Sequence, residues 1–232
     1  TLQFGATSDT GDAEGHIEET ACPRLPQLAD IEQCLERFIG DIEQVPPAYS
    51  AIKVGGVRSH VLARSGKQIE LKARRVHIER IDLLNFDYPL LQLRVRCSKG
   101  TYIRSLAEDI GRELACGAYL SALRRIASGD MVIEHALSLE QVESYVEAGN
   151  FAEKLLDTRI ALQSMGQLAL EWGELLRFSN GNRISCSTGI AGDELSVYDG
   201  ENGDLYGVGR RIENELQPVL VLKQIEAVAR RA

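Results

Sequence analysis

Leu91-Gln92-Leu93-Arg94-Val95-Arg96-Cys97-Ser98-Lys99-Gly100-Thr101-Tyr102-Ile103-Arg104 changes period in its middle, and that change decides the fold. Through Ser98, apolar Leu91, Leu93, Val95 and Cys97 alternate with Gln92, Arg94, Arg96 and Ser98, the two-residue period of a half-buried strand. From Ser105 onward Leu106, Ile110 and Leu114 recur at helical spacing, with Glu108, Asp109, Arg112 and Glu113 mostly on the other face. A strand therefore passes through Gly100, which permits a tight turn, into a helix, and Tyr102 and Arg104 sit two residues apart at its mouth. A tyrosine ring with a hydroxyl tip suits packing on a nucleobase, and a guanidinium fork suits a carboxylate or phosphate. The same residues are equally compatible with a core tyrosine and a surface arginine, because short motifs recur by chance.

Outward from this run, residues 74–86 read as a partner strand. Further upstream, Ile31, Leu35, Phe38 and Ile39 predict a helix with Asp30 as its N-cap and Gly40 as its end. Val45-Pro46-Pro47-Ala48-Tyr49 cannot be helical, and Gly55-Gly56 separates it from a short amphipathic helix over 57–65. The opening segment, rich in Gly, Asp and Thr, reads as a loop after a strand whose beginning lies upstream, so the chain is expected to be a cut piece. Asp9 and Asp12 in that loop suit a turn better than paired catalytic carboxylates. Downstream, a second helix is expected to carry Leu120, Leu123, Arg124 and Arg125. Met131-Val132-Ile133 reads as a strand, and Ser138-Leu139-Glu140-Gln141 as a capping box that opens a helix. Beyond about residue 160, a helix over Trp172–Phe178 and short strands at 195–198, 205–209 and 219–222 predict a small β-rich second domain. The expected fold class is α+β.

The formal charge of -8 is distributed unevenly. Residues 1–50 hold 10 acidic and 2 basic side chains, residues 51–125 hold 7 and 15, and residues 126–232 hold 17 and 9. The basic island contains Lys53, Arg58, Arg64, Lys67, Lys72, Arg74 and Arg75, against Glu70 alone. It reads either as a loop that closes on phosphates or as a solvated charged face. No apolar run approaches the roughly 18 residues that span a bilayer, and the N-terminus lacks the pattern of a signal peptide. Cys22, Cys34, Cys97, Cys116 and Cys186 form an odd, scattered set without a Cys-x-x-Cys pair, so neither a disulfide framework nor structural zinc is expected. A reducing cytoplasm fits them. His16, His60, His77 and His135 are dispersed as well, and no metal is expected. Nucleotide-binding, hydride-transfer, serine-hydrolase and zinc-protease motifs are all missing from the sequence.

Taken together, Phe4-Gly5 with Ser8-Asp9-Thr10-Gly11-Asp12-Ala13-Glu14-Gly15, Phe38-Ile39-Gly40, Gln44 through Lys53, Lys99 through Arg104, and Leu123-Arg124-Arg125 with Ser128-Gly129 resemble the bacterial TruB tRNA pseudouridine-55 synthases in order and spacing. The resemblance implies a pseudouridine synthase fold, a mixed and largely antiparallel sheet flanked by helices, over residues 1–160, with a basic RNA-binding insertion at about 50–75. It also implies a PUA-like domain over 161–232. The implied activity is isomerisation of one flipped-out T-loop uridine in tRNA, with neither cofactor nor metal, by a cytoplasmic monomer.

By the same resemblance Tyr102 lines the uracil pocket, Leu123 packs on the target base and Lys99 supports that loop or a phosphate. Arg104 would hold a nucleophilic Asp. Lys53, Arg58, Arg64, Arg74, Arg75, Arg124 and Arg125 would contact the T stem-loop. The nucleophile belongs to a Gly-x-Leu-Asp-Pro-x-Ala-x-Gly motif that these 232 residues do not contain, and it is expected upstream. His60 stands where the family usually has Tyr, and Ser8 where Thr is usual. The competing expectation is a tRNA-binding module without catalysis.

Overall fold

The computed structural model describes residues 1–65, 71–186 and 189–223, so Lys67 and Glu70 of the basic stretch lie outside the described residues. The strand, turn and helix around Gly100 form the spine of one compact unit, Thr1–Arg124. Its elements are β1 (Leu2–Phe4), β2 (Ala6–Ser8), β3 (Ile17–Glu19), α1 (Leu28–Glu36), β4 (Gly40–Gln44), the hairpin β5 (Lys53–Val54) and β6 (Val57–Arg58), α2 (Ser59–Arg64), β7 (Arg74–Asp87), β8 (Leu90–Cys97), α3 (Ile103–Glu113) and β9 (Ala118–Leu120). Five strands pair antiparallel in the order β4-β7-β8-β1-β9.

The alternation along β8 builds this sheet's core. Leu91 is buried and Leu93, Val95 and Cys97 pack half-buried against the core, while Gln92, Arg94 and Arg96 face outward. On α3, Leu106 and Ile110 meet Ile31 and Leu35 of α1 and Leu2 and Phe4 of β1 in one cluster. Each large side chain buried there contributes on the order of 1.5–3 kcal/mol. α1 starts earlier than its apolar pattern suggests: Gln27 is the cap, and Asp30 lies inside the first turn, accepting the Gln27 N–H at 3.0 Å. Gly40, expected to end that helix, instead opens β4 with φ +96°.

Two expectations fail for tertiary reasons. The segment expected to be a second helix instead forms β9, because Leu2 and Phe4 of β1 pair with Leu120 and Ala118 and draw them into the sheet. Beyond it Leu123, Arg124 and Arg125 are irregular and exposed. Cysteine spacing argued against disulfides, yet Cys22 and Cys116 are joined by one across 94 residues. The turns after β3 and after α3 bring them together, and local spacing cannot report such a contact.

The second unit is Arg125–Ala232. Its first part holds the hairpin β10 (Ala127–Ser128) and β11 (Met131–Val132), then α4 (Leu139–Glu147), which Ser138 caps through the Gln141 N–H. Asp130, in the hairpin turn, accepts the Ser164 N–H at 3.0 Å and ties this stretch to the β-rich part that follows. That part comprises β12 (Gly166–Leu170), α5 (Trp172–Ser179), β13 (Ile184–Ser185), β14 (Glu194–Asp199), β15 (Leu205–Ile212) and β16 (Glu215–Val221). Its sheet runs β12-β14-β15-β16-β13, with β12 and β14 the parallel pair. Leu175 and Phe178 of α5 insert between Leu195, Val197 and Leu216. The α+β class holds in both units. No helix among the described residues is long and apolar enough to cross a membrane.

Because the disulfide closes a loop of 94 residues, Cys22→Ser should lower unfolding stability by about 2–4 kcal/mol in urea titration without reductant. The difference should shrink when both proteins are reduced. Equal stability without reductant would contradict the bond.

Candidate functional site

Arg104, one residue into α3, is where three segments converge. Its Nη1 donates to the Thr10 carbonyl at 2.9 Å and to Asp12 Oδ2 at 3.0 Å, and its Nη2 donates to the Tyr49 carbonyl at 2.8 Å. Nε–H and the second Nη2–H have no partner among the described residues. The side chain is 23% exposed and that of Asp12 26%, so the pair is largely but not wholly withdrawn from water.

The loop that supplies Asp12 is built to meet α3. Thr10 donates its hydroxyl to Asp12 Oδ1 at 2.7 Å, the Glu14 N–H donates to the same oxygen at 3.1 Å, and Ser8 donates its hydroxyl to the Asp12 carbonyl at 2.6 Å. Asp9 accepts the His16 N–H at 2.7 Å and so closes the turn. Gly11 has φ +76°, and a Cβ there would lie 2.5 Å from Glu108 Oε1 and 3.2 Å from Arg104 Cβ. The positive φ favours glycine here, and a Cβ would also press on the Arg104 Cβ and displace the Glu108 carboxylate. Partial burial opposes ionisation of Asp12, but the Thr10 and Glu14 hydrogen bonds and the Arg104 charge outweigh it and hold the carboxyl below its ordinary range. Glu108, one turn further along α3, is shifted the other way, pushed up chiefly by burial and then by the charge of Asp109. It borders a cleft of about 350 Å³ with Asp9, Pro46, Pro47 and Arg112.

The Val45-Pro46-Pro47 segment is stitched to the start of α3. Gln44 exchanges two hydrogen bonds with the backbone of Tyr102, and Ser105 donates its hydroxyl to the Val45 carbonyl at 2.8 Å. Further along, Ser59 donates to the Ala48 carbonyl at 2.5 Å, and His60 bonds the Ser50 carbonyl through its own N–H and through Nδ1 at 3.0 Å. His60 thus serves as a brace for the turn that carries Tyr49.

Of the residues singled out by sequence, Tyr102 and Arg104 lie together, Tyr102 half-buried as the N-cap of α3. Lys99 is exposed in the turn before it, and Leu123 is 65% exposed after β9. Lys53 and Arg58 lie on the β5–β6 hairpin, Arg64 at the end of α2, and Arg74 and Arg75 at the start of β7. All are exposed, and so are Arg124 and Arg125. Arg75 pairs with Asp41 at 2.7 Å, and Asp41 also binds His77 Nδ1 at 2.9 Å. The other six cations and Lys99 have no ion-pair partner among the described residues. Sequence reading passed over Asp12 as a turn residue and Gln44 as part of a motif. Strand parity marks Gln44, since it shares the inward side of β4 with Ile42, where a polar residue needs a partner. Among the described residues, no group of three or more His, Cys, Asp or Glu is arranged to hold a metal ion.

Residues 1–103 match the family model described as TruB family pseudouridylate synthase (N terminal domain), and residues 104–163 match that of the tRNA pseudouridylate synthase B C-terminal domain. A protein of Dechloromonas aromatica (strain RCB) named tRNA pseudouridine synthase B is 46% identical over 90% of this chain, which spans 68% of that protein. One of the same name from Cupriavidus taiwanensis is 43% identical over 96% of this chain and is spanned to 73%. Among solved structures, a chain of a Cbf5-Nop10-Gar1 complex superposes with a TM-score of 0.66 over 96% of this chain at 20% identity, and 64% of that chain is spanned. That likeness shows the fold.

The Asp12–Arg104 pair should make a pH-dependent contribution to stability. A carboxyl whose folded pKa is depressed stabilises fully above its unfolded pKa and loses that effect as pH falls through the folded value. Asp12→Asn should therefore cost about 1–3 kcal/mol at pH 7. The gap from wild type should begin to close below about pH 4. Urea titrations at stepped pH measure it, and a gap that stays constant down to acid unfolding would refute the pairing.

Proposed function

The chain belongs to the TruB family of pseudouridine synthases, and on that premise we propose that it forms most of an enzyme converting one T-loop uridine of tRNA to pseudouridine. The observation that carries this reading is the state of Arg104: three acceptors fix its guanidinium while two N–H donors have no partner among the described residues. A fork held this way is prepared for a second carboxylate, keeping it ionised and aimed. In the reaction the uridine leaves the stack, its bond from N1 to the ribose breaks, and the ring rejoins through C5, which gives up its proton while N1 gains one. No electrons enter or leave, so the isomerisation needs no redox partner. The nucleophile is the carboxylate of the Gly-x-Leu-Asp-Pro-x-Ala-x-Gly motif, which is not among these 232 residues.

In this reading Tyr102 lines the uracil pocket and Leu123, exposed after β9, packs against the target base. Lys99 supports the same loop or meets a phosphate. Lys53, Arg58, Arg64, Arg74, Arg75, Arg124 and Arg125 bind the T stem-loop backbone, where counterion release makes affinity steeply salt-dependent. The β-rich C-terminal part acts as a PUA-like RNA-binding domain, and the enzyme works as a monomer. The names of the relatives favour catalysis over binding alone.

Residues 1–232 alone should release no tritium from tRNA labelled at uridine C5. The same residues preceded by the motif-bearing segment should release it. Turnover by residues 1–232 alone would overturn the placement of the nucleophile. In the catalytically complete enzyme, Arg104→Ala should cost about 2–5 kcal/mol in kcat/KM, since it strands a largely desolvated carboxylate. Near-normal turnover would refute the role of Arg104.

A further inference from the structure

Gln44 is 1% exposed at the end of β4, an unusual depth for a neutral polar side chain. Left unpaired there, its carboxamide would cost about 1–3 kcal/mol, so the destination of its hydrogen bonds is informative. Both go to one residue. Nε2 donates to the Tyr102 carbonyl at 3.0 Å, and Oε1 accepts the Tyr102 N–H at 2.8 Å. The carboxamide thus imitates a neighbouring strand and holds the backbone on both sides of the Tyr102 Cα.

Those two groups set the direction in which the Tyr102 ring leaves the chain, because φ and ψ at that residue fix its Cα–Cβ bond relative to α3. Tyr102 is the N-cap, with φ −97° and ψ 109°, so helical geometry has not yet taken hold of it. Besides Gln44, its backbone makes one helix bond, from the Leu106 N–H at 3.1 Å. Its hydroxyl has no partner among the described residues. Arg104, two residues on, is held by Tyr49 of the segment that Gln44 begins, and also by Thr10 and Asp12 of a different loop. Those last two contacts do not pass through Gln44.

Resting on the isomerase reading above, we propose that Gln44 is the positioning residue for Tyr102: its carboxamide aims the ring at the flipped base without contacting the RNA. Loss of this tie disorders the base pocket and leaves the arginine cradle and the phosphate-binding cations in place. The expected signature is a fall in the chemical step with little change in tRNA recognition.

The test is a double-mutant cycle in the catalytically complete enzyme, these 232 residues preceded by the motif-bearing segment, read by tritium release. Gln44→Leu should lower kcat about 10- to 100-fold, the scale of a small misplacement of a substrate-positioning group. KM for tRNA should stay within about twofold of wild type. In a Tyr102→Ala background the same substitution should cost less than about threefold more, because the ring it positions is already gone. Gln44→Glu, nearly isosteric but opposing its carboxylate to the Tyr102 carbonyl, should show the same non-additivity, and it serves if Gln44→Leu does not fold. Equal losses in both backgrounds, a loss confined to KM, or unchanged kcat would overturn the proposal while leaving the isomerase reading intact. A wild-type enzyme that releases no tritium overturns both.

Discussion

The guanidinium of Arg104 is the group on which separate parts of the N-terminal unit must agree. It takes acceptors from the loop at Thr10 and Asp12 and from Tyr49 on the proline-stiffened segment. The segment around Tyr49 has no strand ladder of its own, and the Thr10–Asp12 loop rests on Leu120 as well, whose N–H donates to the Gly11 carbonyl at 3.0 Å while its carbonyl accepts the Ala13 N–H at 3.2 Å. A charged donor largely withdrawn from water imposes a position on each acceptor, because a misplaced one would leave a desolvated charge unmet. The cradle thus organises the loops as much as the loops hold the cradle.

The rest of the unit presents that one side chain. β8 delivers the chain to Gly100, and α3 begins at once, fixed from below by Leu106 and Ile110 in the core. Gly11 removes the side chain that would keep the acidic loop off the helix. At the far end of α3, Cys116 is bonded to Cys22, so the segment that follows β3 is tied to the turn after the helix. Electrostatics differ along one face: Asp12 is held ionised by donors, whereas burial makes ionisation harder for Glu108 one turn on. The fold supplies a fixed cation with donors to spare, together with exposed cations, most of which have no ion-pair partner among the described residues.

Legibility followed the range of the interaction. β8, α3, the cap at Ser138 and the strands near 195, 205 and 219 could be read because period and capping are local signals. β9 could not, since its strand state depends on pairing with residues more than a hundred positions earlier. The Cys22–Cys116 bond was hidden for the same reason. Asp12 was seen as a turn residue, which it is. Its second duty, facing Arg104, appears only when α3 lies beside the loop. Gln44 was legible in principle from parity on β4, and its partner was not.

The role proposed for Arg104 rests on two N–H donors that no acceptor among the described residues takes up, left for a carboxylate that these 232 residues do not supply. The direct measurement is the Arg104 Nε–H signal in arginine-labelled protein by NMR, compared between the catalytically complete enzyme and the same enzyme with the motif Asp changed to Asn. A downfield, slowly exchanging Nε–H is expected in the complete enzyme, and it should move upfield and exchange faster in the Asn variant. An Nε–H signal identical in the two proteins would show that Arg104 holds no such carboxylate.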